Sequence, residues 1–186
     1  MLVAKFKIKI SGDRFIIYKA ENLNWRLLVA EGFGRLVGDG IVLNPVEAAY
    51  LILKNRAESK PHITVEEIIR RYSDLDEFFP FKLSVYIDLR DRRFTVKVLD
   101  EDPITFEVFG EGADPVLSES KYYVMILPSE KSISVHSLYA ALEKAKKQGK
   151  TLVLALIDQD GDIVYYNVES TLRFEVSLKL RRMKIV

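Results

Sequence analysis

Asp158, Asp160 and Asp162 occupy alternate positions in the stretch Ile157-Asp-Gln-Asp-Gly-Asp-Ile163. Carboxylates crowded this closely repel one another, and the arrangement becomes favourable when a cation or a basic surface meets them. Thr151 to Ile157 before them and Ile163 to Val168 after them are β-branched and apolar, which puts the acid at a hairpin tip. A calcium loop would need glycine at its sixth place, which is Ile163, and helices on both flanks, so strand flanks weigh against that reading. The plain alternative is an exposed Asp-Gly turn whose acid serves solubility. Lys150 stands just before the hairpin. The two histidines, His62 and His136, fall beside helix starts without an acidic or metal partner in sequence, and read as surface residues. The absence of cysteine excludes disulfides, thiolate metal sites and cysteine nucleophiles. No metal and no cofactor is implied.

These side chains need a scaffold, and its elements are legible in order. Ala4, Phe6, Ile8 and Ile10 alternate with Lys5, Lys7 and Lys9, a strand with one wet face that Gly12-Asp13 turns back into Arg14 to Tyr18. Asn22 to Ala30 reads as a short helix, after which glycines 32, 34, 38 and 40 keep the chain irregular. Asn44-Pro-Val-Glu47 starts a helix: Asn caps, Pro suits the first turn, and Glu47 reaches back to the cap, with the helix running towards Arg56. Thr64-Val-Glu-Glu67 repeats that logic for a helix ending near Tyr72. Ser73 to Pro80 interrupts both periodicities and is expected to be the domain junction. Leu83, Tyr86, Ile87 and Leu89 then predict an amphipathic helix, followed by strands over 94–99, 105–109 and 121–127. Ser134 caps a further helix to about Gln148, and Gly149 suits its stop. The expected class is α+β, with an N-terminal α/β module over 1–75 and a C-terminal α+β domain over 80–186.

Composition bounds the function. The chain has 186 residues, 48% of them hydrophobic, enough for one large or two small domains. Twenty-eight basic and 27 acidic side chains leave +1, so bulk charge argues for neither a general nucleic-acid coat nor an acidic scaffold. Two glutamines among so many mixed charges resemble a thermophile's bias. The N-terminus opens on an alternating strand, and no run approaches the ~20 apolar residues of a membrane span. A soluble, cytoplasmic protein without membrane contact is expected.

Four segments carry a resemblance. Val85-Tyr-Ile-Asp-Leu-Arg-Asp-Arg-Arg-Phe-Thr-Val-Lys97 resembles the helix-to-strand entry of archaeal tRNA-splicing endonucleases. Thr105-Phe-Glu-Val-Phe109 is similar to their next strand, Glu119-Ser-Lys-Tyr-Tyr-Val124 to the following one, and 150–166 to their closing hairpin. Asn44-Pro-Val-Glu-Ala-Ala-Tyr-Leu51 is similar to a helix of their N-terminal domain. The resemblance spans residues 40 to 168 and implies a nuclease-like C-terminal domain around a central mixed sheet. That family cuts precursor RNA at bulge–helix–bulge sites without metal, using a Tyr, a His and a Lys. Attack of a ribose 2′-hydroxyl on its phosphate needs a proton acceptor, a proton donor and positive charge on the phosphate oxygens. The family's Tyr position is Phe109, which carries no proton, and its His position is Glu119, an acceptor where a donor is needed. Lys150 matches the family's Lys, preceded by Gly149 instead of the usual Arg.

With two of three positions vacated, the resemblance implies a structural, catalytically degenerate subunit partnered by a catalytic one that carries the Tyr/His/Lys triad. Together they would act on precursor tRNA as a two-plus-two heterotetramer. The family's acidic loop enters a basic cleft on a facing subunit, which makes Asp158, Asp160, Gly161 and Asp162 interface residues; Val164 and Tyr166 lie on a strand the family pairs across a second interface. The rival reading is a self-sufficient, metal-independent endonuclease that leaves 2′,3′-cyclic phosphate ends, using Lys150 with Glu119 or Tyr122. A third is an RNA-binding module outside any endonuclease. Within the tail 171–186, Arg173, Lys179, Arg181, Arg182 and Lys184 stand against Glu175 alone. It reads either as a further strand protected by its cations or as an arm for RNA phosphates.

Overall fold

The computed structural model describes residues 5–101, 103–168 and 174–176. The chain forms two compact units, Met1–Ile87 and Asp88–Val186.

In the first unit the order is β1 (Phe6–Ser11), β2 (Arg14–Tyr18), α1 (Trp25–Ala30), β3 (Arg35–Val37), β4 (Gly40–Leu43), α2 (Pro45–Leu53), β5 (Ala57–Lys60) and α3 (Val65–Ser73). The strands make one mixed sheet, β3-β4-β2-β1-β5, in which β5 runs parallel to β1. Period-2 alternation sends Phe6, Ile8, Phe15, Ile17, Ile41 and Leu43 to the buried face and leaves Lys7 and Lys9 in water. Both predicted capping boxes form: Asn44 and Thr64 accept backbone N–H groups from the first turns of α2 and α3, and Glu47 and Glu67 reach back to the cap N–H groups. Each cap is worth about 1 kcal/mol.

Two expectations are corrected here. The glycine-rich stretch is a hairpin, not irregular chain: Val37 pairs with Gly40, and Gly38 takes φ +58 in the two-residue turn that joins β3 to β4. The helix expected to run towards Arg56 stops at Leu53, and β5 follows. Ala-Glu-Ser-Lys carries no β-branched residue. The strand exists because β1 offers it a parallel ladder and the core accepts Ala57 and Ser59.

Helix α4 (Phe79–Asp91) forms where a helix was predicted, ending the first unit and opening the second, but without the expected wet face. Phe79, Leu83, Val85, Tyr86 and Leu89 are buried, and Asp91 alone is exposed, so most of its circumference is withdrawn from water.

The second unit continues with β6 (Phe94–Glu101), β7 (Ile104–Glu111), β8 (Tyr122–Pro128), α5 (Val135–Lys147), β9 (Thr151–Ile157), β10 (Ile163–Val168) and β11 (Phe174–Val176). They form the expected mixed sheet, ordered β11-β10-β9-β8-β7-β6. Within this sheet only the β8–β9 pair is parallel among the described residues, and α5 is the crossover that a parallel pair requires. Ala141, Leu142 and Ala145 of α5 pack on Tyr123, Met125, Leu152, Leu154 and Val168. Alternate residues of the same strands, including Tyr122, Val124, Val153 and Tyr165, face the other way. The α+β class holds.

Candidate functional site

Lys150 is aimed by the end of α5. Gly149 adopts φ +64 and donates its N–H to the Lys146 carbonyl at 3.0 Å, while the Lys150 N–H reaches the Ala145 carbonyl at 2.9 Å. This pair of bonds satisfies two carbonyls at the helix end and reverses the chain, a geometry that glycine adopts without steric cost. The Thr151 N–H then bonds the Lys121 carbonyl at 3.0 Å, which starts the parallel ladder.

The Lys150 ammonium is not free. Nζ donates to Glu107 Oε1 at 2.7 Å and to Ser120 Oγ, and it lies 4.8 Å from the centroid of the Tyr123 ring. Ser120 Oγ in turn donates to the same Glu107 oxygen at 2.6 Å. The side chains of Lys150 and Glu107 are 13% and 20% exposed, so water screens the pair weakly. Burial opposes the Glu107 carboxylate, yet the hydrogen bonds from Lys150 and Ser120, with the charges of Lys150 and Lys97, outweigh it and hold its carboxyl below the usual range. Burial likewise opposes the Lys150 ammonium, and the Glu107 bond and charge, with Tyr123, prevail and raise it. The pair is an internally neutralised unit.

Phe109 follows Glu107 by two residues on β7. It is buried, and Lys97 Nζ stands 5.7 Å from its ring centroid. Glu119 is exposed, next to the Ser120 that bonds Lys150. The strand pairing thus brings Lys150 to the segment holding the other two positions, and what meets the ammonium is Glu107 and Ser120. Sequence reasoning missed both. Glu107 had left one signal, a charge in the middle of the apolar run Ile104 to Phe109.

Tyr122, which the rival reading sets with Lys150, lies on the opposite face of the sheet from it. It alternates with Tyr123 on β8 and lines a cavity of about 280 Å³ with Val108, Val124, Val153 and Tyr165, on the sheet face away from α5. Tyr165 there donates to Asp88 Oδ2 at 2.7 Å, and burial together with that carboxylate raises its hydroxyl far above the ordinary value. Arg92 completes the group, 2.9 Å from the same Asp88 oxygen.

The acidic turn forms as a hairpin tip. Asp158 Oδ1 accepts the Asp162 N–H at 2.8 Å, the Asp158 N–H reaches the Asp162 carbonyl at 3.1 Å, and Gly161 sits at φ +83. Asp158, Asp160, Gly161 and Asp162 are all exposed. Gln159 bonds Glu130, and the Ser129 N–H bonds the Ile157 carbonyl at 2.8 Å, which ties the β8–α5 loop to the tip's base. No three acidic or histidine side chains among the described residues are arranged to hold a metal ion. Val164 and Tyr166 are half-buried on β10, where β11 pairs along Tyr166 to Val168. Part of the tail is therefore a strand, while Arg173, Lys179, Arg181, Arg182 and Lys184 lie outside the described residues. His62 and His136 are exposed. No helix among the described residues is long and apolar enough to cross a membrane.

Comparison with known proteins agrees with this layout. Residues 7–69 match the model of the tRNA intron endonuclease N-terminal domain, and residues 79–165 match that of the tRNA intron endonuclease catalytic C-terminal domain. The tRNA-splicing endonuclease of Thermococcus gammatolerans is 34% identical over 163 residues, covering 86% of this chain and 95% of that one. Those of Pyrococcus furiosus and Pyrococcus abyssi are each 32% identical, over 87% and 86% of this chain and 94% and 93% of their own lengths. Both domain models in their proper order, and relatives matched almost end to end, establish that the chain belongs to the tRNA intron endonuclease family.

Proposed function

We propose that this chain is a structural, catalytically degenerate subunit of a tRNA-splicing endonuclease. It assembles with a subunit bearing the Tyr/His/Lys triad into a two-plus-two complex that cuts introns from precursor tRNA. The observation that carries the reading is the state of Lys150: its ammonium is engaged by Glu107 and Ser120, while Phe109, two residues along β7 from Glu107, is buried and has no proton to exchange. A phosphate approaching that lysine meets the Glu107 carboxylate with it, so the electrostatic gain that positive charge offers a transition state is cancelled at its source. Absence of one proton-transfer group costs ~10²–10⁴-fold, and two positions are vacated.

The exposed acidic tip supports a docking role. Its geometry is held by its own backbone bonds, so the outer carboxylates are presented for a basic cleft, with charge-assisted hydrogen bonds as the attraction and like-charge repulsion as the guard against wrong partners. The test is incubation of the purified chain with a transcript containing a bulge–helix–bulge. No cleavage is expected from the chain alone, and cleavage is expected on mixing with a triad-bearing homologous subunit, with a native mass of two plus two. Cleavage by the chain alone, abolished in Lys150→Ala, would refute the reading.

A further inference from the structure

The basic residues that the sequence pattern showed on β1 belong to a larger surface. Strand register places Lys7 beside Glu58, Lys9 beside both Lys60 and Ile16, and Arg35 beside Val42 on one face of the N-terminal sheet. Lys7, Lys9, Arg14, Arg35 and Lys60 are exposed there, against a single carboxylate, Glu58. In a chain whose charges sum to +1, this is a marked segregation. Half-buried Ile16, Tyr18 and Val42 form the floor between the cations, and Lys9 Nζ stands 5.6 Å from the Tyr18 ring centroid.

Fold stability does not account for this pattern. Like charges opposite one another on neighbouring strands are destabilising, and Lys9 and Lys60 are such a pair. Edge protection accounts for Lys60 on β5 and Arg35 on β3, but Lys7 and Lys9 on β1 and Arg14 on β2 stand on interior strands. Alternation along β1 spaces its cations by roughly 6.6–6.8 Å, and the adjoining strand adds another at about 4.8 Å. A row of cations at this spacing, over an aromatic and aliphatic floor, complements a polyanion with a regular charge repeat.

We propose that this face binds the sugar-phosphate backbone of RNA. The identification of the polyanion as precursor tRNA rests on the function proposed above; the binding itself does not need this chain to cut or to assemble. Contact with phosphates positions the RNA without reading its sequence, which suits a subunit that holds a substrate for another to cleave.

The test uses the full chain and a fluorescent precursor tRNA transcript, with binding followed by anisotropy across a sodium chloride series. The triple substitution Lys7→Ala, Lys9→Ala, Lys60→Ala alters exposed side chains only, and its unfolding midpoint serves as the control for folding. The expected result is a fall of about two to three in the slope of log affinity against log salt, with an equal loss on an unrelated RNA of the same length. An unchanged slope, or no RNA binding by the unsubstituted chain, overturns the proposal. A slope that stays constant while the substituted chain loses its place in the complex would assign the face to an acidic protein surface, which overturns it too. Cleavage by the chain alone would refute the structural-subunit reading and leave this one standing.

Discussion

At the residue scale the decisive contact is the one between Glu107 and Lys150. Each group is stabilised in its charged form by the other, and the two shifts set the pH window of the pair. Glu107 is lowered from its ordinary 4.5, so its contribution is complete above that value and is lost as pH falls through the folded one. Lys150 is raised from 10.5, so its contribution is complete below that value and is lost as pH rises through the folded one. Stability from the pair is thus level from about pH 5 to 10 and falls away on both sides. Glu107→Gln removes the charge and keeps a polar group, leaving the ammonium half-compensated, at a cost of about 1–3 kcal/mol. Thermal unfolding of both proteins against pH checks this: the gap between their midpoints is expected to persist at pH 7 and to narrow as pH falls below 4.5 through the lowered folded-state value. A gap that stays constant into acid would mean that the ion pair does not stabilise the fold.

At the scale of elements, local signals and partner-dependent ones separate cleanly. The two capping boxes were readable because a cap is settled within four residues, Asn44 to Glu47 and Thr64 to Glu67. The hairpin of β9 and β10 was readable to the residue because an Asp-Gly turn between two β-branched runs fixes its own register. β5 was not, because its residues have no strand preference and depend on β1 from fifty-one residues upstream. The hairpin tip also carries a prediction at this scale. Asp160→Lys with Asp162→Lys changes exposed side chains and leaves the Asp158 bond to the Asp162 backbone intact. The substituted chain is expected to fold with an unchanged unfolding midpoint and to lose its complex with a triad-bearing subunit in native mass measurement. Retention of the full complex mass would remove the docking role.

For the whole molecule, the question is what would make the proposed structural subunit cut. On the proposed reading, Phe109→Tyr with Glu119→His supplies the family's Tyr and His but leaves Lys150 bound by Glu107. Single-turnover cleavage of a precursor transcript by that double variant is expected to stay at least ~10²-fold below an intact homologue, the order that one missing charge-stabilising group costs. Adding Glu107→Gln is expected to raise it. Full activity of the double variant would show that the ion pair does not restrain the lysine. The basic face of the first unit's sheet and the acidic tip of the second unit's hairpin are opposite charges nearly balanced in the total, which is why a net of +1 concealed both.

The sequence alone determined the α+β class, the order of most elements and the family's segments, because these are properties of residue type and short-range period. It could not determine what became of Lys150. That depended on β7, β8 and β9 lying side by side, so that residues forty-three apart meet at 2.7 Å, and on a glycine turn that points one side chain between two strands. Nor could it show that Lys60 joins Lys7 and Lys9 on one face, since only the parallel pairing of β5 with β1 puts them together. Caps and turns are written within a few neighbouring residues; the company a charge keeps is set by which distant strands the core draws together.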